Sequence, residues 1–249
     1  MENPLHSDET GTGGEVQGAD ARHNPRPPHE GLIPRLALHV LVDPEWSRGR
    51  DVLTVASAAI EGGATVIQLR DKKASTRLLV EEGLALRRLT HERDVLFVVN
   101  DRIDVALAVD ADGVHVGQDD DMPLQIARRL MSPPRILGVS VGNLDEAVVA
   151  VAADADYLSI GPIFSTYAKS DAGPAIGAEL LTELATCYQT PIIGIGGITA
   201  QNAREVLQAG AVGVAVITAV ISAEDIVAAT RELVMVTVAY RLNERTSPP

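Results

Sequence analysis

Val95-Leu96-Phe97-Val98-Val99-Asn100-Asp101-Arg102-Ile103-Asp104-Val105-Ala106-Leu107-Ala108-Val109-Asp110-Ala111-Asp112-Gly113-Val114-His115-Val116 holds one turn of the pattern that decides the fold. Val95–Val99 is a short, unbroken apolar run rich in valine, as expected of a strand buried on both faces in a parallel sheet. Asp101–Val109 fits a short helix, and Gly113–Val116 is a second buried strand. Outward from this unit the same alternation recurs. Strands are predicted at Ala37–Val42, Thr65–Leu69, Ile136–Val139, Tyr157–Ile160, Ile192–Ile195 and Gly213–Ile217. Helical spacing follows each one: Val52–Ile60, Arg77–Thr90, Leu124–Leu130, Asp145–Ala152, Glu179–Cys187, Gln201–Gln208 and Glu224–Val234. Eight strands alternating with eight helices make an α/β protein, a single (β/α)₈ TIM barrel. A doubly wound open sheet stays as the alternative, because strand count alone does not prove closure.

The flanks read differently. Met1 to about Pro34 is rich in Gly, Pro, Asp, Glu, Asn and His and has no apolar period, so a disordered tail is expected there. The barrel domain is placed at 35–242, and Asn243–Pro249 is read as loose. The 249 residues carry 21 basic and 34 acidic side chains, a formal net charge of -13, and only 3% are aromatic. That balance repels polyanions and offers few stacking platforms, so no nucleic-acid partner is expected. A lone cysteine, Cys187, excludes an internal disulfide and fits a reducing compartment. No stretch is apolar for long enough to span a bilayer, and the start lacks the character of a secretory signal. The expectation is a cytoplasmic protein with no membrane partner and an unspecified oligomeric state.

In such a barrel the chemistry sits on loops leaving the C-terminal strand ends. After the second strand, Gln68 and Arg70 share parity and Lys72 follows. An amide, a guanidinium and an ammonium together suit a multiply charged phosphate, although a solvated salt bridge reads equally well. Asn100-Asp101 ends the third strand, where Asp101 could cap the next helix. His115-Val116-Gly117-Gln118-Asp119-Asp120-Asp121-Met122-Pro123 ends the fourth; one acid is expected to cap the following helix, near Pro123. Two carboxylates on neighbouring strand ends, facing the cations, make an oxygen-rich site suited to Mg²⁺. His115 is read as a hydrogen-bonded core residue. Ser140 places a hydroxyl at the mouth after strand five. The long loop after strand six offers Thr166 and Lys169 to an anion. Gly196-Gly197 and Thr218, after strands seven and eight, match the backbone phosphate cradle common in barrels. One diphosphate-like and one monophosphate-like site are implied, as needed for a transfer reaction that releases diphosphate.

The ordered set Gln68-Leu69-Arg70-Asp71-Lys72, Asn100-Asp101, Gly113 to Asp120, Gly138-Val139-Ser140, Gly161-Pro162-Ile163-Phe164 and Gly194-Ile195-Gly196-Gly197-Ile198 resembles the thiamine-phosphate synthase family from about Leu36 to Val234. The resemblance implies a (β/α)₈ barrel that joins hydroxymethylpyrimidine diphosphate to hydroxyethylthiazole phosphate, giving thiamine phosphate and diphosphate. It implies Mg²⁺ on Asp101 and Asp120. Gln68, Arg70, Lys72 and Asn100 would hold the pyrimidine diphosphate, with Ser140 and Lys169 also on its diphosphate. By the same resemblance, Arg70, Lys72, Ser140 and Lys169 would carry the catalytic role. Thr166, Gly197, Ile217 and Thr218 would hold the thiazole phosphate.

Several positions depart from the family pattern: Ala168 stands where a second Thr hydroxyl is usual, Val141-Gly142 where Thr-His is usual, and Thr218 where a Ser is usual, which keeps the hydroxyl. A related thiazole tautomerase, which relies on a His after strand five, and a non-catalytic thiazole-phosphate-binding regulator are the alternatives.

Overall fold

The computed structural model describes residues 31–117, 122–168 and 173–246. The chain runs α1 (Leu32–Arg35), β1 (Leu38–Val42), α2 (Val52–Gly62), β2 (Val66–Leu69), α3 (Thr76–Glu92), β3 (Leu96–Asn100), α4 (Ile103–Ala108) and β4 (Gly113–Val116). It continues α5 (Leu124–Leu130), β5 (Ile136–Val141), α6 (Leu144–Ala152), β6 (Tyr157–Ile160), α7 (Glu179–Cys187), β7 (Ile192–Ile195), α8 (Ala203–Gln208), β8 (Gly213–Val216), α9 (Thr218–Ile221) and α10 (Ile226–Thr246). Every strand pairs in parallel with its sequence neighbour, and β1 closes on β8 through Leu38–Val214, His39–Ala215 and Val40–Val216. The open sheet is thereby excluded and the TIM barrel stands.

The strands are buried on both faces, which is why their sequences are mainly apolar rather than alternating, and the polar residues within them, His39, Gln68, His115 and Ser159, are themselves buried. Helix starts follow local chemistry. Asp51 caps α2 by accepting from Thr54 N at 2.9 Å, and Asn143 caps α6 by accepting from Glu146 N at 3.0 Å. Gly142, where the resembled family usually has His, donates its N–H to Glu146 Oε2 at 2.7 Å and completes the reciprocal cap.

Three boundary expectations are corrected. Helix α5 takes Pro123 as its N-cap, with no side-chain cap bond, so none of the preceding acids holds that position. Structure is present before Pro34: Leu32–Arg35 form α1, capped by Gly31, and Leu32 is buried. At the other end α10 runs past 242 to Thr246. Its buried stripe, Ile226, Thr230, Leu233 and Thr237, continues through two threonines that break the apolar pattern. Their hydroxyls are satisfied within the helix, on Ile226 O at 2.7 Å and Val234 O at 2.9 Å. Arg241 of α10 bonds the carbonyls of Ile33, Pro34 and Val212, tying α1 to the barrel wall. The tail reading for residues 1–30 lies outside the described residues. Among the described residues, no helix is long and apolar enough to cross a membrane.

Candidate active site

A cavity of about 560 Å³ opens at the C-terminal strand ends. Of the residues singled out from sequence, Arg70, Lys72, Asn100, Asp101, Ser140, Thr166, Gly197, Ile217 and Thr218 all line it. Asp120 and Lys169 lie outside the described residues. Gln68 does not line the cavity. It sits one strand step beneath Arg70, almost fully buried, and its Oε1 has no hydrogen-bond partner. A buried, unsatisfied acceptor directly below a polar mouth is an arrangement that a donor on a bound molecule would complete.

On one side of the mouth the cations are held by acids. Arg70 is ion-paired through Nη1 with Asp43 Oδ2, both side chains nearly inaccessible. Asp43 follows the last residue of β1, and the sequence reading passed over it; the strand-end rule applied to the first strand would have found it. Its other oxygen accepts from Glu45 N at 3.0 Å, so the carboxylate is fixed from two sides. Lys72 Nζ lies 3.9 Å from Asp101 Oδ2, beyond hydrogen-bond distance, with its side chain half exposed.

Asp101 does not cap α4; that position belongs to Arg102. Its backbone is in the left-handed region, φ 62°, held there by its N–H on His115 O at 2.8 Å. A non-glycine residue in this region is disfavoured unless its surroundings impose it, and such residues cluster at functional sites. The turn keeps the carboxylate at the mouth instead of folding it over the helix start.

On the other side the walls are backbone. Gly196 and Gly197 have φ 96° and 64°, and a Cβ at 197 would sit 2.6 Å from Ser165 O and 2.8 Å from Phe164 Cβ. No other residue fits this close approach of two loops. The β6 loop is stitched to β7 by Ile163 N on Ile195 O at 2.9 Å and Phe164 N on Gly196 O at 3.0 Å. Asn202 Nδ2 donates to Gly197 O at 3.0 Å and fixes the glycine turn from behind. Ile217 is the N-cap of α9, whose first amides have no partner within the helix. Two glycines and a helix start thus form a neutral cradle suited to a monophosphate. Thr166 stands at its edge, its Oγ1 accepting from Ala168 N at 3.2 Å. Ala168 is a buried methyl in the cavity wall.

Beneath the mouth, His115 is hydrogen-bonded and nearly buried, as expected: Nδ1 lies 2.9 Å from Tyr157 Oη and Nε2 lies 2.9 Å from Ser140 Oγ. Burial pushes the Tyr157 phenol well above its usual range. His39, whose ring also packs against Tyr157, is fully buried, which lowers its pKa to about 3 and keeps the ring neutral. At the rim, Trp46 and Tyr167 pack ring to ring at 5.4 Å. Tyr157, Trp46 and Tyr167 carried no signal in the sequence, since each contact joins elements far apart in the chain.

The family model described as thiamine monophosphate synthase matches residues 38–220. The thiamine-phosphate synthase of Chloroflexus aurantiacus is 54% identical over 196 residues, covering 79% of this chain and 90% of that protein. That of a Roseiflexus species is 52% identical, covering 84% and 87%. The solved thiamine phosphate pyrophosphorylase from Pyrococcus furiosus superposes with a TM-score of 0.77 at 45% identity, over 84% of this chain and 98% of that one.

Proposed function

This chain belongs to the thiamine monophosphate synthase family, and from that premise we propose how the mouth of its barrel makes thiamine phosphate. The protein is an enzyme of thiamine-phosphate synthesis acting on small molecules. In this reading the substrates are hydroxymethylpyrimidine diphosphate and hydroxyethylthiazole phosphate. The observation that carries it is the pairing, in one cavity, of a cationic wall at Arg70 and Lys72 with a neutral glycine cradle at Gly196-Gly197 and Ile217-Thr218.

The cationic wall takes the diphosphate. Arg70, its guanidinium held in one orientation by Asp43, and Lys72 lie where charge develops as the bond from the pyrimidine methylene carbon to the diphosphate oxygen breaks. Lys169 is assigned to the same group, and Ser140 adds a hydroxyl. Gln68 and Asn100 hold the pyrimidine, the unpartnered Oε1 of Gln68 taking a donor of the ring. The aminopyrimidine carries the methylene cation left behind. The cradle with Thr166 holds the thiazole phosphate so that the thiazole nitrogen attacks that carbon; positioning does most of the remaining work. No protein nucleophile takes part.

The hard oxygen of Asp101 at the cavity wall, turned outward by its left-handed backbone, fits Mg²⁺, with Asp120 as the second ligand of this reading. When bound, Mg²⁺ supplies neutralisation of the leaving diphosphate. A cytoplasmic protein without nucleic-acid partners completes the proposal, supported by the net charge of -13 and the single cysteine.

The test mixes the purified protein with both substrates, with Mg²⁺ or with EDTA, and follows thiamine phosphate by chromatography after oxidation to a fluorescent product. Mg²⁺-dependent product is expected. A folded protein that binds the thiazole phosphate without turnover would instead be a regulator.

A further inference from the structure

A polar column beneath the mouth is left unused by the reading above. Tyr157 opens β6 fully buried, its ring filling the space beside Gly138; a Cβ there would lie 2.1 Å from the ring. The ring packs against His115, stacked at 5.5 Å, and against His39, tilted at 5.7 Å. Among the described residues, the phenol oxygen has one hydrogen-bond partner, His115 Nδ1. The other ring nitrogen of His115 reaches Ser140 Oγ, which lines the cavity.

The direction of these two bonds follows from where the protons can go. If Nδ1 carried the ring proton, it would donate to the phenol oxygen. The phenol's own proton would then be buried without an acceptor, the costlier outcome. The phenol therefore donates to Nδ1, and the ring proton resides on Nε2. Nε2–H in turn donates to Ser140 Oγ. That fills an acceptor position on the serine and leaves its own proton for an acceptor other than His115.

We infer that Tyr157 is a positioning residue which, through His115, fixes Ser140 as a hydrogen-bond donor toward the anionic group bound at the mouth. The inference rests on the reading of Ser140 as a diphosphate contact. Gly138 is part of the device, since any side chain there would displace the phenol.

The test has one arm that needs no substrate. Protein carrying ¹⁵N-labelled histidine is examined by long-range ¹H–¹⁵N correlation. The expected wild-type spectrum shows His115 as the Nε2–H tautomer alone, and the near-isosteric Tyr157→Phe, in folded protein, shows a mixture. In the second arm, Tyr157→Phe lowers kcat about tenfold, as loss of a supporting partner of a catalytic group does, with KM for the thiazole phosphate unchanged. Placed in a Ser140→Ala background, the same change has almost no further effect on kcat. A wild-type Nδ1–H tautomer overturns the proposal, and so does a Tyr157→Phe effect of equal size with and without the Ser140 hydroxyl. A protein that makes no thiamine phosphate fails the reading of the reaction, while the tautomer arm still decides this one.

Discussion

The two ends of the barrel use the same residue types in opposite ways. At the N-terminal ends of the strands, Asp156 Oδ2 accepts from Leu137 N at 2.7 Å and from Arg128 Nη1 at 2.6 Å, with both side chains largely inaccessible. Asp112 repeats the device, taking Phe97 N at 2.8 Å on one oxygen and Arg87 at 3.0 Å on the other. Each acid joins a helix to a strand amide. At the C-terminal ends, Lys72 and Asp101 stand 3.9 Å apart and partly exposed, and the glycine turn presents backbone to the cavity. The pair is loose enough for a ligand to exchange for it. Asp43–Arg70 is the instructive exception, a floor-like buried pair at the mouth, whose effect is to aim one guanidinium. Charge paired at short range ties helices to strands at the floor, while the Lys72–Asp101 pair at the mouth is longer and more exposed.

Four substitutions sharpen or break this contrast. The largest effect is expected at the floor. Asp156→Ala leaves Arg128 without its carboxylate and Leu137 N without its acceptor, and stability should fall by about 3–5 kcal/mol, as when one partner of a buried pair is removed. Chemical denaturation measures this, and the folded fraction should keep its turnover; a loss of turnover without loss of stability would end the distinction between floor and mouth. Next is Asp101→Asn. Asparagine tolerates the left-handed backbone, so the thermal midpoint should hardly move while kcat drops roughly 100-fold, in the range for removing one electrostatic group at a transition state.

Gly197→Ala tests the cradle. Alanine at φ 64° is strained by about 1–2 kcal/mol, and its methyl meets Ser165 O, so the KM for the thiazole phosphate should rise more than that for the pyrimidine diphosphate. Equal changes in the two KM values would remove the cradle from the monophosphate site.

The smallest effect is expected at His39, the second residue of β1. Unfolded, it takes up a proton near pH 6.5; folded, burial delays this to about pH 3. The unfolded state therefore binds more protons between these values. Stability from this group is complete above pH 6.5 and is lost as pH falls below it, by about 1 kcal/mol between pH 7 and 5.5. His39→Leu should flatten the denaturation free energy over that interval, and an unchanged slope would show that His39 is not neutral by burial.

Much of this architecture was legible beforehand, and the reason is local. A strand covered by helices on one face and packed into the barrel on the other is buried on both and so reads as a mainly apolar run. The first and last residues of β4, β6 and β7 accordingly coincide with Gly113–Val116, Tyr157–Ile160 and Ile192–Ile195. The period of two and the strand-end rule likewise brought Arg70, Asn100, Asp101 and Ser140 to one cavity. Where the local signal was diluted, the reading stopped short: α10 continues through Thr230 and Thr237, whose methyl faces are buried while their hydroxyls bond within the helix. Asp101 looked like a cap because an acid ahead of a helix is one by default, and its left-handed turn depends on His115 of the neighbouring strand.

What the sequence by itself determined was therefore everything expressed along one strand or one loop: the eightfold alternation, the polar strand ends, and through the ordered motifs the family. What only the tertiary structure decided was everything that requires two distant segments to meet. The closure of β1 on β8, the seating of Arg70 on Asp43, the stitching of the β6 loop to Gly196, and the passage from Tyr157 through His115 to Ser140 are all of this kind. Their partners are separated by 25 to 176 residues, and no periodicity links them. They exist because a closed barrel turns side chains from different strands into one interior, where a glycine on one strand makes room for a tyrosine on the next.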